Sequence, residues 1–302
     1  MNELFDKLIV RIVFSIFVCM MMVLYKYLHL IFYPSSRRKL LKKIYASKNP
    51  ADTLHFYGRI LGICIIFTQF QFTLSEGIWY AFLDFFIHGI IIFSIYLLSI
   101  YVIESITLYN FEYADEIQKR KNLGFAIICF ANAISMAMVA KTILAVGKES
   151  FTMIIFLWLF GMVVLGFGSK AFPLVSRLGF SKLIISKNTT VAISYSGFIF
   201  GLTIIITNAL DHQLTEIRYY IILVILKILL STIIFPLFKY GILLAFKMKD
   251  ELKEIARDGQ LDELPDPPLG HGIFEAGTFL AACFLTQVIT NNIDFGTFYP
   301  VF

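Results

Sequence analysis

Apolar stretches long enough to cross a bilayer recur along nearly the whole chain, and few architectures can be built from them. A membrane helix needs about 20 mostly apolar residues. Eight runs fit or approach that length: 11–33, 57–74, 79–109, 123–146, 151–173, 190–210, 219–246 and 269–290. In hydrocarbon no water pairs with backbone N–H and C=O groups, and a helix satisfies its own. The sequence therefore predicts an all-α fold, a polytopic membrane helical bundle of about eight transmembrane helices. Composition agrees: 58% of the 302 residues are hydrophobic and 16% are charged. Soluble domains are roughly 45–50% apolar and 25% charged. Disorder, which needs low hydrophobicity and high charge, is excluded, and so is an ordinary soluble enzyme. The second run is the weakest, because Gln69 and Gln71 interrupt its end. The first run is too long for a signal-peptide core and lacks a cleavage motif, which marks it as a retained helix.

The net charge of +5 would suggest nucleic acid on a soluble protein. Here the basic residues sit between apolar runs and report topology instead. Loops on one side carry Arg37, Arg38, Lys39, Lys42, Lys43, Lys48 and Arg59, then Lys119, Arg120 and Lys121, then Lys170, Arg177, Lys182 and Lys187, then Lys247, Lys249, Lys253 and Arg257. The other side has only Lys7, Arg11, Lys148 and Arg218. The positive-inside rule places the basic loops in the cytoplasm and both termini on the non-cytoplasmic side. Arg37, Arg38, Lys39, Lys42 and Lys43 alternate with apolar residues, as in a stretch drawn to anionic lipid on the inner leaflet.

Three segments align without gaps. They begin at Lys121-Asn122, Lys187-Asn188 and Pro267-Pro268, and each opens an apolar helix after a charged connector. An Asn caps free helix N–H groups, and a Pro lacks the N–H that would need capping. The chain from 77 to 302 thus reads as three helix–connector–helix repeats in one orientation (77–148, 149–214 and 215–302), behind an N-terminal hairpin, 1–76, that lacks the motif. Parallel repeats differ from the inverted repeats of many secondary transporters. Ala131, Gly197 and Gly277 align, and four residues on so do Ser135, Gly201 and Ala281. Small residues at this spacing let membrane helices approach closely. They fit helix packing within the bundle or the lining of a pore.

The Lys-Asn-x-x-x-Ala-Ile opening at 121–127 and 187–193, with the Gly-rich helix that follows, resembles the bacterial YjfL-like inner-membrane family of unknown function. The third copy departs from it, with Pro-Pro in place of Lys-Asn. The resemblance implies repeated two-helix hairpins in a bacterial inner (plasma) membrane.

Charged side chains deep in a bilayer cost a few kcal/mol and mark function or a partner. Asp84 and His88 are four apart on one helix, with Lys141 at a similar depth on the next. They read as an interfacial ion-pair cluster or as a cation relay. His271 and Glu275 share the last helix, and Lys239 on the preceding one lies at a depth that matches Glu275. They read as a salt bridge or as a substrate or proton site. His271-x-x-x-Glu275 lacks the second His of a metalloprotease helix. Glu104 lies near a helix end, within reach of the headgroups, as do Lys26 and His29. The four cysteines fall within apolar runs and show no metal spacing. With no phosphate-binding loop and no catalytic Ser or Cys setting, no enzyme activity and no cofactor are expected. Two classes of function remain: a conduit or transporter for ions or small solutes, or a non-transporting scaffold. Expected partners are membrane lipid, a second copy, or a membrane or cytoplasmic protein.

Overall fold

The computed structural model describes residues 2–36, 48–70, 77–148, 150–176, 179–212, 217–246 and 267–291. Arg37, Arg38, Lys39, Lys42 and Lys43, the expected lipid-facing cluster, lie outside the described residues. The regular structure among the described residues is all helical: α1 Asn2–Phe32, α2 Pro50–Phe67, α3 Ile78–Thr107, α4 Leu123–Gly147, α5 Phe151–Ser176, the short α6 Phe180–Ile185, α7 Thr189–Leu210, α8 Ile217–Ala245 and α9 Leu269–Asn291. A π-helical turn, Ala114–Lys119, precedes α4. Seven of the described helices are long and apolar enough to span a membrane: α1, α3, α4, α5, α7, α8 and α9.

The second helix runs seven residues earlier than the hydrophobic run suggested. It starts at Pro50, capped by Asn49, whose side-chain oxygen accepts from the Asp52 N–H. It stops at Phe67, and residues 68–69 form a turn. Hydropathy alone could not find this start, because Asp52, His55 and Arg59 break up the first three turns.

This earlier start brings the first hairpin into the repeat. Lys48-Asn49-Pro50 opens α2 as Lys121-Asn122 opens α4 and Lys187-Asn188 opens α7. All three asparagines cap their helices. Lys121 and Lys187 have φ of 52° and 62°, the left-handed conformation that ends a helical turn. The Lys thus closes the connector and the Asn opens the next helix. Gly58 and Gly62 then fall at the same distances from the cap as Ala131 and Ser135, Gly197 and Gly201, and Gly277 and Ala281.

The hairpins build two layers. Their second helices α2, α4, α7 and α9 form an inner row, each packed most extensively on its neighbour in that order. Their first helices α1, α3, α5 and α8 lie outside it. The row is parallel, with its caps at one end. The Asn49 amide donates to the Ile117 carbonyl just before α4 (2.9 Å), and the Asn122 amide to the Ile184 carbonyl just before α7 (2.8 Å). The Thr190 hydroxyl donates to the Pro267 carbonyl just before α9 (2.8 Å). Each hairpin is thereby fastened to the connector of the next.

Close approach explains the small residues. A Cβ on Gly58 would sit 2.8 Å from the Phe130 ring on α4. One on Gly197 would collide with the Ala276 backbone on α9, and one on Gly201 would lie 2.6 Å from Cys283 Sγ. Gly62 faces the Tyr96 hydroxyl of α3 instead. Ala131 and Ser135 are fully buried, on the face of α4 that also carries Gly124, whose Cβ would meet the Asn188 carbonyl of α7 at 2.9 Å. Gly277 and Ala281 on α9 are exposed, and nothing lies within 4 Å of a Cβ placed on Gly277.

Candidate functional site

Two buried polar clusters occupy matching places in the row. Counting from each capping position, the sixth and seventh residues face the junction between successive inner helices: His55 of α2 against Cys129 of α4, and Ser194 of α7 against Glu275 of α9. At 1.5 Å per residue these positions are about 9–10 Å along the helix from its cap.

The first cluster is the denser. Arg59, one turn beyond His55, is 2% exposed. Its guanidinium donates to Glu104 Oε1 of α3 (2.5 Å), to the Tyr33 hydroxyl (3.2 Å) and to the His55 carbonyl (2.6 Å). Tyr33 donates in turn to Glu104 Oε2 (3.1 Å). The planar Arg fork suits such a shared load better than a Lys ammonium. Around this pair stands a cage of rings: His29, Tyr33, His55 and Tyr113, with centroids 4.4–6.0 Å apart. His29 Nδ1 is 2.9 Å from the Tyr25 hydroxyl. Among the described residues, His29 Nε2 and His55 Nδ1 are buried without a hydrogen-bond partner. An orphaned buried nitrogen costs free energy, and each such case calls for an explanation.

His55, Glu104 and Cys129 offer donor atoms within 4.8 Å of one another. Three donors fall short of the four that a structural zinc takes. Arg59 already occupies the carboxylate with a positive charge. The cluster therefore suits a proton better than a divalent cation.

The second cluster is sparser. Glu275 accepts from the Ser194 hydroxyl through Oε2, and its Oε1 is 3.9 Å from Lys239 Nζ of α8. Lys239 also donates to the Val175 carbonyl (3.0 Å) and sits 4.1 Å above the Phe279 ring. That ring contact is an attractive cation–π geometry. His271 lies one turn nearer the cap than Glu275.

The outer group sits at the opposite end of the bundle from the caps. Asp84 Oδ1 is 3.0 Å from His88 Nδ1, and Asp84 Oδ2 is 2.6 Å from Lys148 Nζ. The cation that meets Asp84 is thus Lys148, while Lys141 stands nearly two turns earlier on α4. Asp84 is 38% and Lys148 43% exposed in the side chain, which marks a surface pair of small energetic weight.

A family model for a Domain of Unknown Function (DUF350) matches the chain twice, at residues 3–144 and 147–289. The chain belongs to this family. Each DUF350 copy contains two of the four hairpins and one of the two polar clusters. The sequence repeat and the duplicated clusters thus coincide with a duplicated DUF350 domain. No curated protein matches the chain, and no solved structure does.

Sequence reading brought Lys239 and Glu275 together and missed the first cluster. Arg59 reads as the edge of a basic loop because the apolar run begins seven residues after the true start of α2. Glu104 and His29 looked close enough to helix ends to reach the headgroups, yet His29 is fully buried. Lys227, in the outer part of α8, is 2% exposed, and its Nζ donates to His212 Nε2 at 2.5 Å. The overlooked signal was Lys48-Asn49-Pro50, which puts Arg59 ten residues inside a helix.

Proposed function

We propose that this membrane protein carries protons, or exchanges them for a small cation, through its two buried polar clusters. The carrying observation is the pair of orphaned histidine nitrogens, His29 Nε2 and His55 Nδ1, beside the Arg59–Glu104 pair. A ring nitrogen held by no partner, next to a carboxylate and tyrosine hydroxyls, can pass a proton on through a change of tautomer with little movement. Charges this deep are expensive to keep without a use. Among the described residues the inner helices pack closely on one another, and a proton relay needs no wide lumen. The resemblance to YjfL-like proteins supports a bacterial inner-membrane location. The basic-loop count supports cytoplasmic connectors, with α2 as the eighth crossing.

The test is proton flux into proteoliposomes, read with an entrapped pH dye. Wild type is set beside His55→Phe and the double variant Arg59→Leu with Glu104→Leu, which removes both charges together. Flux that falls at least tenfold in correctly folded variants supports the reading. Equal, background-level dye traces from all three proteins would refute it. The scaffold alternative would then stand, favoured by the open small-residue face of α9.

A further inference from the structure

The inner row repeats one packing step three times. On α2 and α7 the Gly nine positions after the cap points forward to the next inner helix, and on α4 the Gly124 of the same face as Ala131 does so. Gly58 meets Phe130, and Gly197 meets Ala276. Phe130 and Ala276 both stand eight positions after the start of their own segments, at the rear of the receiving helix. The small residue thirteen positions on repeats the pattern at α7, where Gly201 faces Cys283, which is fifteen positions along α9.

The row stops at α9 without changing chemistry. Gly277 and Ala281 stand nine and thirteen positions along, and both are exposed. A Cβ on Gly270, the counterpart of the buried Gly124, would also meet nothing within 4 Å. The same stripe of α9 also presents Ile273, Phe284 and Val288, much as the exposed side of α8 presents Ile225, Leu229, Ile233, Leu237 and Leu244, and Gly277 and Ala281 make a notch between them. At the other end of the row the rear of α2 is equally uncovered. Tyr57, eight positions along, is 48% exposed, Leu61 is 46% exposed, and Cys64, fifteen positions along, is half-buried.

We infer that the forward face of α9 receives the rear face of α2 from a second copy of this chain, repeating the α7–α9 step between molecules. The occupant follows from continuity. The exposed forward face of the row is the one its own members use internally, and its exposed rear face is the matching receiver. All four inner helices run in one direction, so the second copy sits in the same membrane orientation. The contact is heterologous, front to rear, and builds either a closed ring or a chain of copies. Gly277 would lie against Tyr57 of the second copy, and Ala281 against its Cys64, as Gly201 lies against Cys283.

Crosslinking in native membranes tests the register. Ala281→Cys is made in a Cys19→Ser background and oxidised with copper phenanthroline. The expected result is that most of the protein migrates as linked dimers and larger species on a non-reducing gel. Reduction, or adding Cys64→Ser, should abolish them. A second measurement does not depend on cysteine chemistry. In lipid nanodiscs wild type should be at least dimeric, and Gly277→Leu should be monomeric with unchanged helical circular dichroism. A monomeric wild type would overturn the inference. So would crosslinks that survive Cys64→Ser, since these would report a symmetric α9–α9 contact.

Discussion

The two DUF350 copies place ionisable groups at the same junctions and fill them with opposite chemistry. In the first copy the inner helix supplies the cation, Arg59, and the outer helix the anion, Glu104. In the second copy the inner helix supplies the anion, Glu275, and the outer helix the cation, Lys239. The first pair is a 2.5 Å contact inside a cage of His and Tyr rings. The second is a 3.9 Å contact whose Lys is shared with a carbonyl and a Phe ring. The fold therefore fixes where polarity is tolerated, at the crowded step between inner helices, and leaves sign and strength free to diverge. A close, fully bonded ion pair and a loose one at equivalent places make a natural internal control.

The sharpest way to break that contrast is to remove one partner from each pair. Arg59→Ala removes a buried guanidinium and leaves the partly buried Glu104 uncompensated, and should cost about 3–5 kcal/mol. Lys239→Met acts across a 3.9 Å contact and leaves Glu275 still bonded to the Ser194 hydroxyl, and should cost less, about 1–3 kcal/mol. Thermal unfolding in detergent, followed by circular dichroism, ranks the two. Equal losses would mean that the clusters carry equal structural weight.

A smaller effect separates the tight steps from the open one. Gly197→Leu drives side-chain atoms into the Ala276 backbone and should destabilise by about 1–3 kcal/mol. Gly277→Leu should leave the melting temperature of the isolated chain unchanged.

Cap deletions come next. Asn122→Ala should cost more than Asn188→Ala, within the range of about 0.5–2 kcal/mol known for caps. Asn122 also donates to Glu116 (2.7 Å) and to the Ile184 carbonyl (2.8 Å), so its loss unfastens two hairpins. Chemical denaturation of the two variants should show this order, and the reverse order would place the latch elsewhere.

The smallest effect concerns pH. His212, between α7 and α8, is held below the usual imidazole range, first by burial and then by the nearby Lys227 charge, with Asp211 opposing. A histidine that protonates less readily when folded stabilises the protein above its unfolded value of about 6.5. That contribution fades as pH falls through and below 6.5. Melting temperatures taken from pH 7.5 to 5 should decline, and His212→Gln should flatten the curve. An unchanged slope would remove His212 as the cause.

Much of this was legible in the residues. The all-helical membrane fold followed from eight apolar runs, because hydropathy measures the solvent a segment must live in. Six of the helices begin within two residues of their runs for the same reason, and the Asn caps at 122 and 188 were readable because capping is a local bond. The Lys239–Glu275 pair was legible because both depths count from neighbouring helix ends. The first cluster was hidden by the polarity that defines it. Asp52, His55 and Arg59 lower the hydropathy of α2 and push its apparent start past its true cap, so Arg59 reads as a loop residue. Only the tertiary structure shows that these groups point inward, where Glu104, His29 with Tyr33, and Tyr113 converge from three other segments. Burial there depends on which face of α2 meets α4, a relation between distant parts of the chain that no local pattern carries. The fate of the small residues was decided the same way. Gly197 and Gly277 occupy equivalent places in the sequence, and only the order of packing makes one a buried contact and the other an exposed face.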